Sequence, residues 1–96
     1  MALMIAKRHL RPGEFDEWEA RFRERAKERK AAGCKAVRYF RGADNKDEVV
    51  MIFDWDTREQ GQSFLERMLS QFPNLSQEGR SGFFCMFVDE QKPLDA

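Results

Sequence analysis

Glu48 to Trp55 reads EVVMIFDW, a run with apolar side chains at both alternating positions. Successive residues of a strand point to opposite faces, so such a run belongs to an inner strand covered on both sides. A second run, Gly82 to Asp89 (GFFCMFVD), near the other end of the chain, is also apolar on both faces. The fold must therefore shield both faces of a sheet from water. Ninety-six residues limit what does the shielding, because a chain this short builds one core in one domain, taken as residues 1–96.

The remaining elements follow from periodicity and punctuation. Leu3 to His9 reads as a short strand stopped by Pro12-Gly13. Phe15 to Ala32 reads as one helix, because Phe15, Trp18, Phe22 and Ala26 recur at three- and four-residue steps and form one apolar stripe. Gly13 serves as its N-cap, Asp16 sits in the first turn, and Gly33 ends it. Cys34 to Arg41 is a second strand, and Gly42 to Asp47 is the turn before EVVMIFDW. Thr57 and Gln60 form a capping box that opens a second helix, which buries Gly61, Phe64, Leu65, Met68 and Leu69 and is ended by Pro73. Residues 74–81 read as a loop, and residues 91–96 as a mobile or partner-wrapping tail.

The order strand, helix, strand, strand, helix, strand predicts an α+β, ferredoxin-like βαββαβ sandwich. Right-handed crossovers put the first and third strands at the centre, in the order 4-1-3-2. Two helices cover one face of such a sheet. The other face would carry about half of the two apolar runs, too large a patch for a monomer. A second copy is the expected cover, giving a homodimer closed through the sheet faces. Cys34 and Cys85 would lie on opposite edge strands, too far apart for an intrachain disulfide.

Composition narrows the functional classes. Lys plus Arg and Asp plus Glu number 17 each, so the net charge gives no argument for nucleic acid or an anionic membrane. Arg21 to Arg41 is locally basic, and RNA-recognition domains share this topology. They need exposed aromatics within a glycine-rich run, and neither EVVMIFDW nor LMIAKRH supplies one. No apolar run approaches the ~20 residues of a membrane span. Two cysteines and one histidine, without CxxC or HExxH spacing, predict neither a disulfide framework nor a metal site, and the cytoplasm is the expected compartment.

The segment His9 to Trp18, the run RKAAG (Arg29 to Gly33) and the run RYFRGADNKDEVVMIFDW (Arg38 to Trp55) together resemble the dimeric α/β-barrel superfamily, and within it the small antibiotic-biosynthesis-monooxygenase-like and cyclase-like proteins. The resemblance covers roughly residues 3–90. It implies a pocket between sheet and helices and an activity such as cofactor-free oxygenation or cyclisation of an aromatic or polyketide-type compound. Haem-degrading members use a histidine on the second helix. Thr57 to Gln71 contains none, so no cofactor is expected. The alternative is a non-catalytic dimer that binds a ligand or serves only as structure.

Each candidate site residue has an ordinary role to weigh against a functional one. His9, the single imidazole, is expected beside Asp47, Glu48, Phe83 and Phe84, where a carboxylate neighbour would suit it to general-base work; otherwise it is a surface histidine. Arg29 falls inside the apolar stripe, so it either faces a cavity and binds a phenolate or carboxylate, or forms a salt bridge to Asp54 or Asp56. Trp55 and Trp18 are substrate-stacking candidates or core residues. Tyr39 and Arg41 alternate with Val37 and would line the pocket or the dimer seam.

Overall fold

The computed structural model describes residues 2–71, 84–89 and 91–95. Its elements are β1 (Ala2–His9), α1 (Phe15–Glu24), α2 (Ala26–Ala31), β2 (Cys34–Arg41), β3 (Glu48–Trp55), α3 (Arg58–Gln71) and β4 (Phe84–Val88). The four strands form one antiparallel sheet in the order β2-β3-β1-β4, which is the expected 4-1-3-2 read from the other edge. This is the ferredoxin-like fold. Residues 91–95 are exposed and carry no regular structure. Pro73, the loop 74–81 and the first two residues of the expected last strand, Gly82 and Phe83, lie outside the described residues.

Strand pairing fixes which side chains share a face. Ala2 pairs with Trp55, Met4 with Phe53 and Ala6 with Met51, and these point toward the helices. Met4, Val49 and Trp55 are fully buried there. The next residues in register, Leu3, Ile5, Lys7 and His9 on β1 with Val50 and Ile52 on β3, point the other way. No helix among the described residues covers that face. Phe40, Phe84 and Met86 stand on it at 51%, 52% and 44% exposure, and Ile5 lies between Ile52 and Met86 at its centre.

The first helical segment departs from expectation in two ways. It is not one helix: α1 ends at Glu24 and α2 begins at Ala26, with Arg25 between them at φ −86°, ψ 9°. No glycine or proline stands at that break, so the apolar stripe runs through it without a signal. The N-cap is Glu14 rather than Gly13. Gly13 takes φ +76° and donates its N–H to the Asp47 carboxylate at 3.1 Å, which turns the chain one residue before the N-cap.

The helix-to-strand turns follow the sequence more closely. Gly33 adopts φ +104° after α2, the left-handed stop expected of a glycine there. The capping box forms reciprocally: Thr57 N–H donates to the Gln60 amide oxygen at 3.0 Å, and Gln60 N–H to the Thr57 hydroxyl at 3.2 Å. Gly61, one turn into α3, lets the helix backbone sit directly on the core. A Cβ at this position would meet the Phe87 ring at 2.8 Å and the Trp55 indole at 2.9 Å. No helix among the described residues is long and apolar enough to cross a membrane.

Candidate functional site

Between the sheet and the helices lies a cavity of about 190 Å³. Its floor is the helix-facing side of the central strands, with Met4 and Ala6 from β1 and Met51 and Phe53 from β3. One wall is the α1 stripe, where Trp18 and Phe22 stack at 4.8 Å between ring centroids. The opposite wall is α3, through Phe64, Leu65 and Met68. A second cleft of about 390 Å³, between α2 and α3, shares Arg25, Phe64 and Met68 with the first. The two spaces are therefore neighbours across these three side chains.

Four arginines reach this apolar space: Arg8 from the sheet, and Arg21, Arg25 and Arg29 from the helices. Glu14 supplies the one carboxylate among the described lining residues, and Arg21 lies 3.5 Å from it. Arg29 is the deepest cation, only 5% exposed. Its guanidinium carbon sits 4.1 Å from the Phe22 ring centroid, a cation–π contact. The salt bridge weighed for Arg29 does not form. Asp56 pairs with Lys35 at 2.9 Å, and strand alternation turns Asp54 to the opposite sheet face. Burial draws the Arg29 pKa below its ordinary value, with the nearby Cys34 acting in the opposite sense. The guanidinium nonetheless stays protonated at neutral pH. The Arg8 Nε is buried without a hydrogen-bond partner.

The other candidate residues divide between wall, scaffold and the far face. Trp18 lines the cavity. Trp55 lies outside the lining, fully buried and packed against Phe64 at 5.2 Å and Phe53 at 6.2 Å, so its role is core. Tyr39 stands behind the wall. Its hydroxyl donates to Glu19 at 2.8 Å and accepts from Arg23 Nε at 2.9 Å, while its ring meets Trp18 and Phe22 edge-on. Arg41 lies 4.2 Å from the Phe15 ring centroid and donates to the Lys46 carbonyl at 2.7 Å, which ties β2 to α1 and to the following turn.

His9 has the expected acidic neighbour but the wrong face for this cavity. Its Nδ1 lies 3.4 Å from the Glu48 carboxylate and its Nε2 3.2 Å from the Asn45 amide. It follows Arg8 on a strand, so the one-residue step puts it on the bare side of the sheet. Phe83, the other expected neighbour, is outside the described residues. The residues that sequence reasoning passed over are Arg8, Arg21 and Arg25. The available signals were the four-residue spacing Arg21-Arg25-Arg29, which marks one helix face, and the two-residue step from Ala6 to Arg8.

The chain belongs to the antibiotic biosynthesis monooxygenase family. The family model matches residues 1–69, well over half of the chain. No curated protein matches. Among solved structures, an antibiotic biosynthesis monooxygenase superposes with a TM-score of 0.64 at 19% identity, covering 96% of this chain and 100% of the other. A dimeric ferredoxin-like protein from an uncultured marine organism superposes at 0.63 with 16% identity over 97% and 96% of the two chains. The heme-degrader MhuD of Mycobacterium tuberculosis, solved with two hemes in its active site, superposes at 0.64 with 14% identity over 99% and 100%. At these identities the structures share the fold. This chain's single histidine faces away from the cavity, so its donor set does not offer a haem iron an imidazole there.

Both cysteines are free. They sit on the two edge strands, β2 and β4, with the width of the sheet between them. Burial pushes the Cys85 thiol from 9.0 up to about 11, and the Cys34 thiol up as well. The neutral thiol is therefore favoured in the folded state, and the stability it contributes is fully present below pH 9. Between about pH 9 and 11 the unfolded thiol ionises while folded Cys85 does not, so stability falls across that window. Urea titrations at pH 8, 9 and 10.5 should show the decline beginning above pH 9. In a Cys85→Ala variant the decline should be smaller.

Proposed function

We propose that the chain is a single-domain, cytoplasmic small-molecule enzyme, monooxygenase-like or cyclase-like, that acts on an aromatic or polyketide-type compound in the sheet–helix cavity. The observation that carries this reading is the cavity itself: aromatic and aliphatic walls with a buried cation, Arg29, unpaired among the described residues, set among them. Membership in the monooxygenase family supports the reaction class. In the oxygenase form, an anthrone-type methylene loses a proton to solvent water to give a delocalised carbanion–enolate, and Arg29 stabilises the oxygen that bears the charge. Dioxygen then takes four electrons from that carbon. One oxygen atom stays as the new carbonyl and the other leaves as water, with the substrate as the sole reductant.

The proposal includes a homodimer closed through the bare sheet face, as the exposed Phe40, Phe84 and Met86 favour. The alternative, a dimer that only binds its ligand, is favoured by one specific observation: among the described residues the cavity holds one carboxylate and no imidazole. Oxygen uptake with anthrone- and quinol-type compounds separates the two. The enzyme reading predicts turnover in wild type and unchanged turnover in His9→Ala, because His9 lies across the sheet from the cavity. Tight binding with neither oxygen consumption nor a cyclised product in the same incubations would leave the ligand-binding reading.

A further inference from the structure

We infer that the cavity takes its ligand as an aromatic carboxylate, with Arg29 as the buried counter-charge and Arg8 as a second donor from the sheet. The inference rests on the proposed function for where the ligand sits, and goes beyond it in naming the acid rather than its neutral forms.

Arg29 is the first observation. A guanidinium this deeply buried is ordinarily matched by a carboxylate, because an uncompensated charge loses its hydration without recovering it. The Arg29 backbone is held in the helix, its N–H donating to the Arg25 carbonyl at 3.1 Å, but among the described residues its guanidinium is in no ion pair or side-chain hydrogen bond. Phe22 covers one side of it at 4.1 Å. A guanidinium stacked in this way keeps its in-plane N–H fork for an acceptor, and that fork matches the two oxygens of a carboxylate.

Arg8 is the second, independent observation. It comes from β1, across the cavity from the helices, and its Nε is a buried donor without an acceptor. Unsatisfied buried donors are uncommon in native proteins, so the open Arg8 Nε, on the same small cavity as the buried Arg29 charge, points to an acceptor that the described residues do not supply. Glu14 does not supply it, being held by the Arg11 N–H at 3.3 Å and by Arg21. The rest of the lining identifies the body of the ligand. Trp18, Phe22 and Phe64 offer ring faces and edges to a planar apolar group, and a bare inorganic anion would leave those walls unfilled.

Calorimetric titration of the full chain with 2-naphthoate and with its neutral analogue 2-naphthamide tests the assignment. The carboxylate is expected to bind about 10- to 100-fold more tightly than the amide, the range for a charge-assisted hydrogen bond. Arg29→Gln should reduce that preference to within about threefold and leave the affinity for the amide nearly unchanged. Arg8→Gln, at a half-buried position, should reduce the preference by a smaller factor, and it carries the test if Arg29→Gln fails to fold. Equal affinity for acid and amide in wild type, or a preference that survives both substitutions, overturns the charge assignment while the cavity remains a ligand site. Binding of neither compound overturns the assignment together with the proposed function beneath it.

Discussion

Ile5→Asp is expected to turn a dimer into a monomer. At micromolar concentration wild type should sediment as two chains and the variant as one, with an unchanged far-UV circular dichroism spectrum. Ile5 stands at the middle of the bare sheet face, between Ile52 on β3 and Met86 on β4. Neither neighbour offers a cation to an aspartate placed there. In a single chain the new carboxylate remains hydrated. Between two sheets it is dehydrated, and the next same-face cation on its strand, Lys7, is already paired with Glu48 at 3.5 Å, so the burial costs several kcal/mol for each ion. Two-fold symmetry applies that cost twice, so the dimer should weaken by at least ~10⁴-fold. Wild type sedimenting as a single chain would remove the dimer, and with it the only cover proposed for Phe40, Phe84 and Met86.

Trp55→Ala should destabilise the chain by about 3–5 kcal/mol, a large share of the ~5–15 kcal/mol typical of a whole domain. Trp55 is the largest fully buried side chain, set between Phe53 and Phe64 beneath Gly61. Removing it opens a void where α3 rests on the sheet. The glycine above has no side chain to fill it, and helix and strand backbones do not collapse readily. Trp55→Phe should cost much less, about 1–2 kcal/mol, because the indole Nε1 is buried without a hydrogen-bond partner and no such bond is lost. Urea denaturation of the two variants reads the difference. Equal losses would show that ring volume is not what matters at this position.

The candidate site was less legible in the sequence than the fold. Arg29 could be singled out because a helical stripe exposes its own exceptions: an arginine among aromatic residues on one face must have a reason to be there, and both it and Trp18 line the cavity. The face of His9 was not legible, because neighbours along and across strands can be predicted while the face is uncertain by one residue, and one residue is the whole thickness of the sheet. Arg8, the residue beside it, has the position that His9 was expected to hold. Tyr39 and Arg41 were left open between pocket and dimer seam; they lie on the helix side, where their side chains tie β2 to α1.

Local pattern determined the elements. Two runs apolar on both faces, a capping box at Thr57 and a stop at Gly33 state strand, helix start and helix end through interactions a few residues long, and a fixed order of elements leaves few ways to pair them. Tertiary structure decided what no short-range interaction encodes. It broke the first helix at Arg25, cancelled the salt bridge expected for Arg29 by turning Asp54 outward, and gathered arginines from β1, α1 and α2 around one cavity. Those outcomes depend on the register and packing of segments far apart in the chain, and a change of one residue in either moves a charge from the interior to the solvent.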